Sequence, residues 1–146
     1  MIQGLNHITL VVRELDLAFT FYHDVLRLRP LARWARGAYL LAEDNTWLCL
    51  EQTDEGAQPS RGHIAFTVSE ESFGQTRDRI VSSGAPSWKD NSSEGDSWYF
   101  ADPSGNRLEI HVGSWQTRLA SRRARPYDGM VFFEQPPPAS SAILDK

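Results

Sequence analysis

Hydrophobic and polar positions alternate through residues 5–12, Leu-Asn-His-Ile-Thr-Leu-Val-Val, a run rich in β-branched residues that predicts a strand. His7, Thr9 and Val11 fall on one face of it, Ile8, Leu10 and Val12 on the other. From Leu15 to Leu28 the period lengthens. Leu17, Ala18, Phe21, Tyr22, Val25 and Leu28 recur at helical spacing, with Glu14 or Asp16 available to cap the start. Three short strands follow, Leu31–Trp34, Ala38–Ala42 and Trp47–Leu50, with turns at Gly37 and Asp44-Asn45. Asp54–Gly62 is polar and reads as a linker. Then the order restarts. Residues 62–68 echo residues 6–12, so His63 takes the place of His7. Glu70–Ser83 predicts a second helix, with Phe73, Ile80 and Val81 apolar and Gly84 at its end. Ser87–Lys89, Ser97–Ala101 and Arg107–Val112 predict three more strands. At an offset of 60, Tyr39-Leu40 falls on Tyr99-Phe100 and Leu48-Cys49-Leu50 on Leu108-Glu109-Ile110.

The repeat predicts an α+β fold of two βαβββ modules whose mixed, curved sheets surround a cleft. The expected boundaries are 1–53 for the first module, 54–62 for the linker and 63–113 for the second module. Residues 114–134 form a helix over Ser114–Arg123 and an extension, and 135–146, with three prolines, form a disordered tail.

Composition narrows the function classes. The 146 residues are 40% hydrophobic, enough for an ordinary core. Net charge is −4 without long runs of one sign, and only Arg118–Arg125 is locally basic, so no nucleic-acid partner is expected. A single cysteine, Cys49, excludes an internal disulfide framework and fits a reducing compartment. No signal peptide and no run of about 18 apolar residues is visible, so a cytoplasmic protein without a membrane partner is expected.

The chemistry concentrates in Trp88–Gly113, which carries a lysine, a hydroxyl-rich loop and Glu109 between Leu108 and Ile110. A carboxylate in such a strand, if buried, needs a cation or hydrogen-bond donors. Two imidazoles at matched positions, His7 and His63, complete with Glu109 a set of two histidines and one carboxylate. Such a set suits Mn²⁺, Fe²⁺, Zn²⁺, Co²⁺ or Ni²⁺. His111, on the face of Glu109, is a competing ligand. Cys49 stands in module one where Glu109 stands in module two, as a fourth ligand or as a small buried hydrophobe. Trp34 and Trp47 fit either a substrate channel or an ordinary core.

With these residues the chain resembles the vicinal oxygen chelate superfamily (glyoxalase, bleomycin resistance, dioxygenase), and within it the glutathione-using fosfomycin-resistance transferases. The resemblance runs from about Gly4 to Phe133 and rests on Leu5-Asn6-His7-Ile8-Thr9, Ala32-Arg33-Trp34, Tyr39-Leu40, Trp47-Leu48-Cys49-Leu50, Trp88-Lys89, Ser93-Glu94-Gly95-Asp96-Ser97, Leu108-Glu109, His111-Val112-Gly113 and Arg118-Leu119-Ala120. It implies a homodimer in which His7 meets His63 and Glu109 across the interface to hold Mn²⁺. It implies that Thr9, Lys89, Ser93, Ser97, Tyr99 and Arg118 grip the phosphonate of fosfomycin, and that Ser93, Glu94, Gly95 and Ser97 bind K⁺. Trp34, Tyr39 and Trp47 would line the thiol and substrate channel. Thr9 and Tyr39 would serve catalysis, with Tyr39 orienting the thiol of glutathione. The chain departs from the family pattern at several positions: Ser92 replaces a basic residue, the run Ser60-Arg61-Gly62-His63-Ile64 lacks the tyrosines that usually flank the second histidine, Glu51 replaces a small polar residue, and Arg36 and the extra Asn45 alter the same neighbourhood. They bear on thiol affinity. The alternatives are an extradiol dioxygenase-like enzyme of the same fold and a metal-free drug-binding module.

Overall fold

A computed structural model describes residues 1–54 and 62–134. The predicted linker lies outside the described residues except at its ends, and the tail from residue 135 lies outside them altogether. Strand β1 (His7–Val12) leads into α1 (Leu15–Thr20), which continues as a π-helical turn over Phe21–Val25, then β2 (Arg29–Trp34), β3 (Gly37–Leu41) and β4 (Trp47–Gln52). The second module runs β5 (Ile64–Thr67), α2 (Glu70–Ser82), β6 (Ser97–Ala101) and β7 (Arg107–His111), and α3 (Trp115–Ala124) follows.

The sheets share one plan. In the first, the order is β1-β4-β3-β2, with β1 parallel to β4 and the other pairs antiparallel. In the second, the order is β5-β7-β6, with β5 parallel to β7 and β6 antiparallel to it. The registers repeat as well. Thr9, Cys49 and Tyr39 lie side by side in the first sheet, Ala65, Glu109 and Tyr99 in the second. The offset in the sequence is therefore a register in space.

Alternation along the strands explains the core. Ala38, Leu40, Leu48 and Leu50 from one sheet, and Phe100, Leu108 and Ile110 from the other, are buried on the faces that meet α1, the π turn and α2. Strand β2 is exposed at every residue, and its pairing slips between Pro30 and Ala32. Proline lacks the donor a central strand needs, so the edge is where it fits.

Two predicted elements differ. The helix expected over Leu15–Leu28 is α-helical for little more than a turn. Its first N–H is capped by Gln52 Oε1 at 2.8 Å, whereas Glu14 makes no side-chain cap bond. The wider turn then carries the adjacent aromatics Phe21 and Tyr22 into the core together. Ser87–Lys89 is not a ladder strand. Pro86 has no N–H to donate, and the segment is held by Ala101 N–H to Pro86 O at 2.9 Å. The Trp88 indole adds bonds to Phe100 O at 2.9 Å and Leu108 O at 3.1 Å.

The modules join through a buried carboxylate. Asp102 Oδ2 accepts from Tyr22 O–H at 2.7 Å and from Asn106 Nδ2 at 2.8 Å. Asp102 Oδ1 accepts from the backbone of Ser104 and Asn106, both at 2.9 Å. Asn106 Nδ2 also reaches Val11 O at 3.0 Å, and Arg13 N–H donates to Ser104 Oγ at 3.0 Å. This joint leaves the opposite face of each sheet free of the core.

Candidate functional site

On the first sheet that outer face carries His7 and Thr9 from β1, Cys49 from β4 and Tyr39 from β3. They line a cavity of about 490 Å³ together with Trp34, Arg36, Trp47 and Glu51. Aromatic rings form a ladder across it. Tyr39 packs edge-on against Trp34 at 4.7 Å and Trp47 at 5.1 Å, and Trp47 packs on the His7 ring at 4.8 Å. Gly37 makes room for this, since a Cβ there would lie 2.4 Å from the Trp34 ring. Asn6 Oδ1 sits 2.7 Å from His7 Nδ1. An amide oxygen only accepts, so Nδ1 carries the proton and Nε2 keeps its lone pair. Cys49 is a buried free thiol, and burial pushes its pKa up, opposed by a hydrogen bond with Thr9. That disfavours the thiolate a metal takes.

On the second sheet Glu109 is only 5% exposed although it points away from the core. Its oxygens are both engaged: Oε1 lies 2.9 Å from His63 Nε2, and Oε2 accepts from Ser97 O–H at 2.6 Å. His63 packs against Trp88 at 5.3 Å and Tyr99 at 6.0 Å. Lys89 Nζ stands 5.2 Å over the Tyr99 ring. The indole bonds of Trp88 thus anchor the segment that delivers Lys89 over Tyr99.

The loop between them is built from its own polar groups. Asn91 Oδ1 accepts from Ser93 N–H and O–H, both at 3.0 Å, and Asn91 Nδ2 donates to Gly95 O at 2.9 Å. Gly95, at φ +76°, is required, because a Cβ there would lie 2.2 Å from Val112 O. Helix α3, capped by Ser114, brings Arg118 Nε within 3.3 Å of Glu94 Oε1.

The predicted residues therefore fall into two groups. Glu109, Ser97 and Tyr99 lie on the second sheet, with His63 just before β5, Lys89 over the Tyr99 ring, and Ser93, Glu94 and Gly95 in the loop that Arg118 of α3 meets at Glu94. His7, Thr9, Trp34, Tyr39 and Trp47 lie on the first sheet. Among the described residues no group of three His, Cys, Asp or Glu side chains stands close enough to hold a metal ion. His7 lies on the first sheet, and His63 and Glu109 lie together at the second. His111 Nδ1, a competing ligand by sequence, lies 2.6 Å from Ser97 Oγ and 3.6 Å from Glu109 Oε2. The sequence reading assigned no role to Asn6, Asn91 or the Trp88 indole. Asn6 directly precedes His7, Trp88 directly precedes Lys89 and Asn91 lies two residues before Ser93, and that proximity was the available signal. No helix among the described residues is long and apolar enough to cross a membrane.

A family model described as the Glyoxalase/Bleomycin resistance protein/Dioxygenase superfamily matches residues 4–110. Glutathione transferase FosA of Serratia marcescens is 49% identical over 138 residues, 90% of this chain and 96% of that protein. The fosfomycin resistance protein FosX of Listeria monocytogenes superimposes with a TM-score of 0.74 at 27% identity, over 83% of this chain and 99% of that one. A variant of the same FosX, complexed with Mn(II) and 1S,2S-dihydroxypropylphosphonic acid, gives a TM-score of 0.73 at 26% identity, over 82% of this chain and 99% of that one. The chain belongs to the Glyoxalase/Bleomycin resistance protein/Dioxygenase superfamily and, within it, to the family of fosfomycin resistance proteins that includes FosA.

Proposed function

We propose that the chain is a glutathione transferase that opens the epoxide of fosfomycin, using Mn²⁺ held by His7, His63 and Glu109. The observation that carries this is Glu109: a buried carboxylate 2.9 Å from the His63 imidazole and held by the Ser97 hydroxyl at 2.6 Å, with Lys89 over the ring of Tyr99, its neighbour in the sheet. The 49% identity to FosA supports the thiol and the substrate. The Mn(II) and phosphonate bound in FosX support the metal and the kind of anion.

The donors fit such an ion. Asn6 orients His7 with its Nε2 lone pair available, and Ser97 orients Glu109, the outer contacts that metal ligands need. A second copy of the chain completes the set: His7 and Thr9 of one protomer face His63 and Glu109 of its partner in a homodimer. When bound, the metal supplies Lewis-acid polarisation of the epoxide oxygen and a template for the phosphonate. Lys89 and Arg118 offset the phosphonate charge, and Thr9, Ser93 and Tyr99 donate to its oxygens, while the Ser97 hydroxyl stays on Glu109. Trp34, Tyr39 and Trp47 line the approach of the thiol, and Tyr39 orients it toward the carbon that bears phosphorus. The carbonyl, hydroxyl and carboxylate oxygens of Ser93, Glu94, Gly95 and Ser97 suit K⁺, a hard cation. Ring-cleaving dioxygenase chemistry would leave Lys89 and Arg118 without a use. Metal-free drug binding would leave the His63–Glu109 pair without one.

The test is mass spectrometry of the adduct. Apo protein is incubated with fosfomycin and glutathione, with and without Mn²⁺, in K⁺ or Na⁺. The reading predicts a glutathione adduct that requires Mn²⁺ and increases in K⁺. No adduct from protein shown to bind Mn²⁺ would overturn the assigned reaction.

A further inference from the structure

His111 ends β7 with its ring enclosed. Nδ1 lies 2.6 Å from Ser97 Oγ, and Ser97 Oγ lies 2.6 Å from Glu109 Oε2. A hydroxyl has one proton and a carboxylate only accepts, so Ser97 donates to Glu109 and His111 Nδ1–H donates to Ser97. The far edge of the ring faces the loop, with Nε2 3.6 Å from Glu94 Oε1. Two glycines leave space for it. A Cβ on Gly95 would lie 3.2 Å from His111 Cε1, and one on Gly113 would lie 2.9 Å from His111 Nε2. Both glycines hold positive φ, +76° and +144°, so the backbone on each side is shaped around the imidazole.

We propose that His111 is a positioning residue that couples the 93–97 loop to the carboxylate of Glu109, so that a monovalent cation in the loop and a divalent metal at Glu109 strengthen each other's binding. This rests on the metal and loop assignments above. A cation in the loop draws Glu94 toward itself and fixes the wall that the Nε2 edge abuts. The ring is then held in its cradle, Nδ1–H holds the Ser97 hydroxyl, and Ser97 holds Glu109 with its other oxygen toward His63. A mobile carboxylate must be ordered when it binds a metal, and one already held loses less freedom. Linkage requires the effect to be reciprocal.

The test is calorimetric titration of Mn²⁺ into the full chain, in K⁺ or in tetramethylammonium, a cation too large for the loop, at equal ionic strength. Wild-type protein is expected to bind Mn²⁺ at least about fivefold more tightly in K⁺. His111→Phe fills the cradle without ring nitrogens and is expected to bind Mn²⁺ equally in both salts. His111→Asn retains a donor near Nδ1 and removes the Nε2 edge, so it is expected to keep more Mn²⁺ affinity than His111→Phe while losing the K⁺ effect. If His111→Phe does not fold, as judged by circular dichroism, His111→Asn decides. A wild-type K⁺ ratio retained in the folded variants, or no K⁺ effect in the wild type, overturns the coupling and leaves the metal assignment standing. Absence of Mn²⁺ binding by the wild type in either salt overturns the metal assignment and the coupling with it.

Discussion

Replacing Tyr22 with phenylalanine tests how the two modules are joined. The ring remains, so no cavity opens; what is lost is one hydroxyl and its bond to Asp102 Oδ2 at 2.7 Å. Both residues are buried, and a hydrogen bond to a charged group contributes about 1.5–3 kcal/mol. Asp102 keeps Asn106 Nδ2 on the same oxygen and two backbone donors on the other, so the carboxylate is not orphaned. That moves the expected loss below the top of the range, to about 2 kcal/mol. At about 3 °C per kcal/mol for a chain of this size, Tm falls by about 6 °C. Urea unfolding followed by tryptophan fluorescence measures the loss, at one protein concentration for both proteins. The slope m should not change. Alkaline pH adds an internal check. Burial first, then the negative charge and hydrogen bond of Asp102, raise the Tyr22 pKa well above its usual value. The folded value exceeds the unfolded one, so this stabilisation is complete below about pH 10 and is lost as pH rises through the folded value. The gap between wild type and Tyr22→Phe should be constant from neutrality to about pH 10 and narrow above it. A loss under about 0.5 kcal/mol, or a gap that does not narrow in alkali, would refute the claim that this bond holds the modules together.

Ser97→Ala leaves Glu109 Oε2 buried without its hydroxyl donor; Mn²⁺ affinity should fall about 10–100-fold by calorimetry, and unchanged affinity would remove Ser97 from the site. Trp88→Phe deprives Phe100 O and Leu108 O of the indole donor, and should cost about 1–3 kcal/mol in urea unfolding while raising KM for fosfomycin more than it lowers kcat, because Lys89 loses its anchor. Arg118→Lys keeps the charge but loses the planar fork, and should raise KM for fosfomycin about tenfold in steady-state conjugation assays.

Much of the fold was legible because alternation and register are local properties. Leu40, Leu48, Phe100, Leu108 and Ile110 fell on core faces, as their alternation with Tyr39, Cys49, Tyr99 and Glu109 implies. The offset of 60 became a shared register because both modules use one strand order. What was not legible depends on distant partners. Gln52 caps α1 from β4, some 37 residues away. The π turn follows from packing two adjacent aromatics into one core. Ser87–Lys89 has strand-like composition, yet its anchors are a proline carbonyl and an indole rather than a ladder. At the candidate site, the repeat singled out His7, His63 and Glu109, whereas the phosphonate and K⁺ residues came only from the family resemblance. The division of the three between two sheets followed from the repeat, which puts His7 in the first module and His63 and Glu109 in the second, but periodicity cannot say which outer faces meet. The role of Asp102 was equally hidden, because a turn aspartate usually serves its own loop, whereas this one also binds Tyr22 in the other module.

The central claim is that one metal site is assembled from two copies of the chain. His7→Ala and Glu109→Gln are each expected to abolish Mn²⁺-dependent conjugation of glutathione to fosfomycin. The two inactive variants are then mixed in equal amounts, unfolded, refolded together and assayed. If His7 of one protomer works with Glu109 of the other, each mixed dimer holds one intact site, and random pairing restores about a quarter of wild-type activity. If the ligands work within one chain, every site carries one lesion and the mixture stays inactive, which would contradict the account.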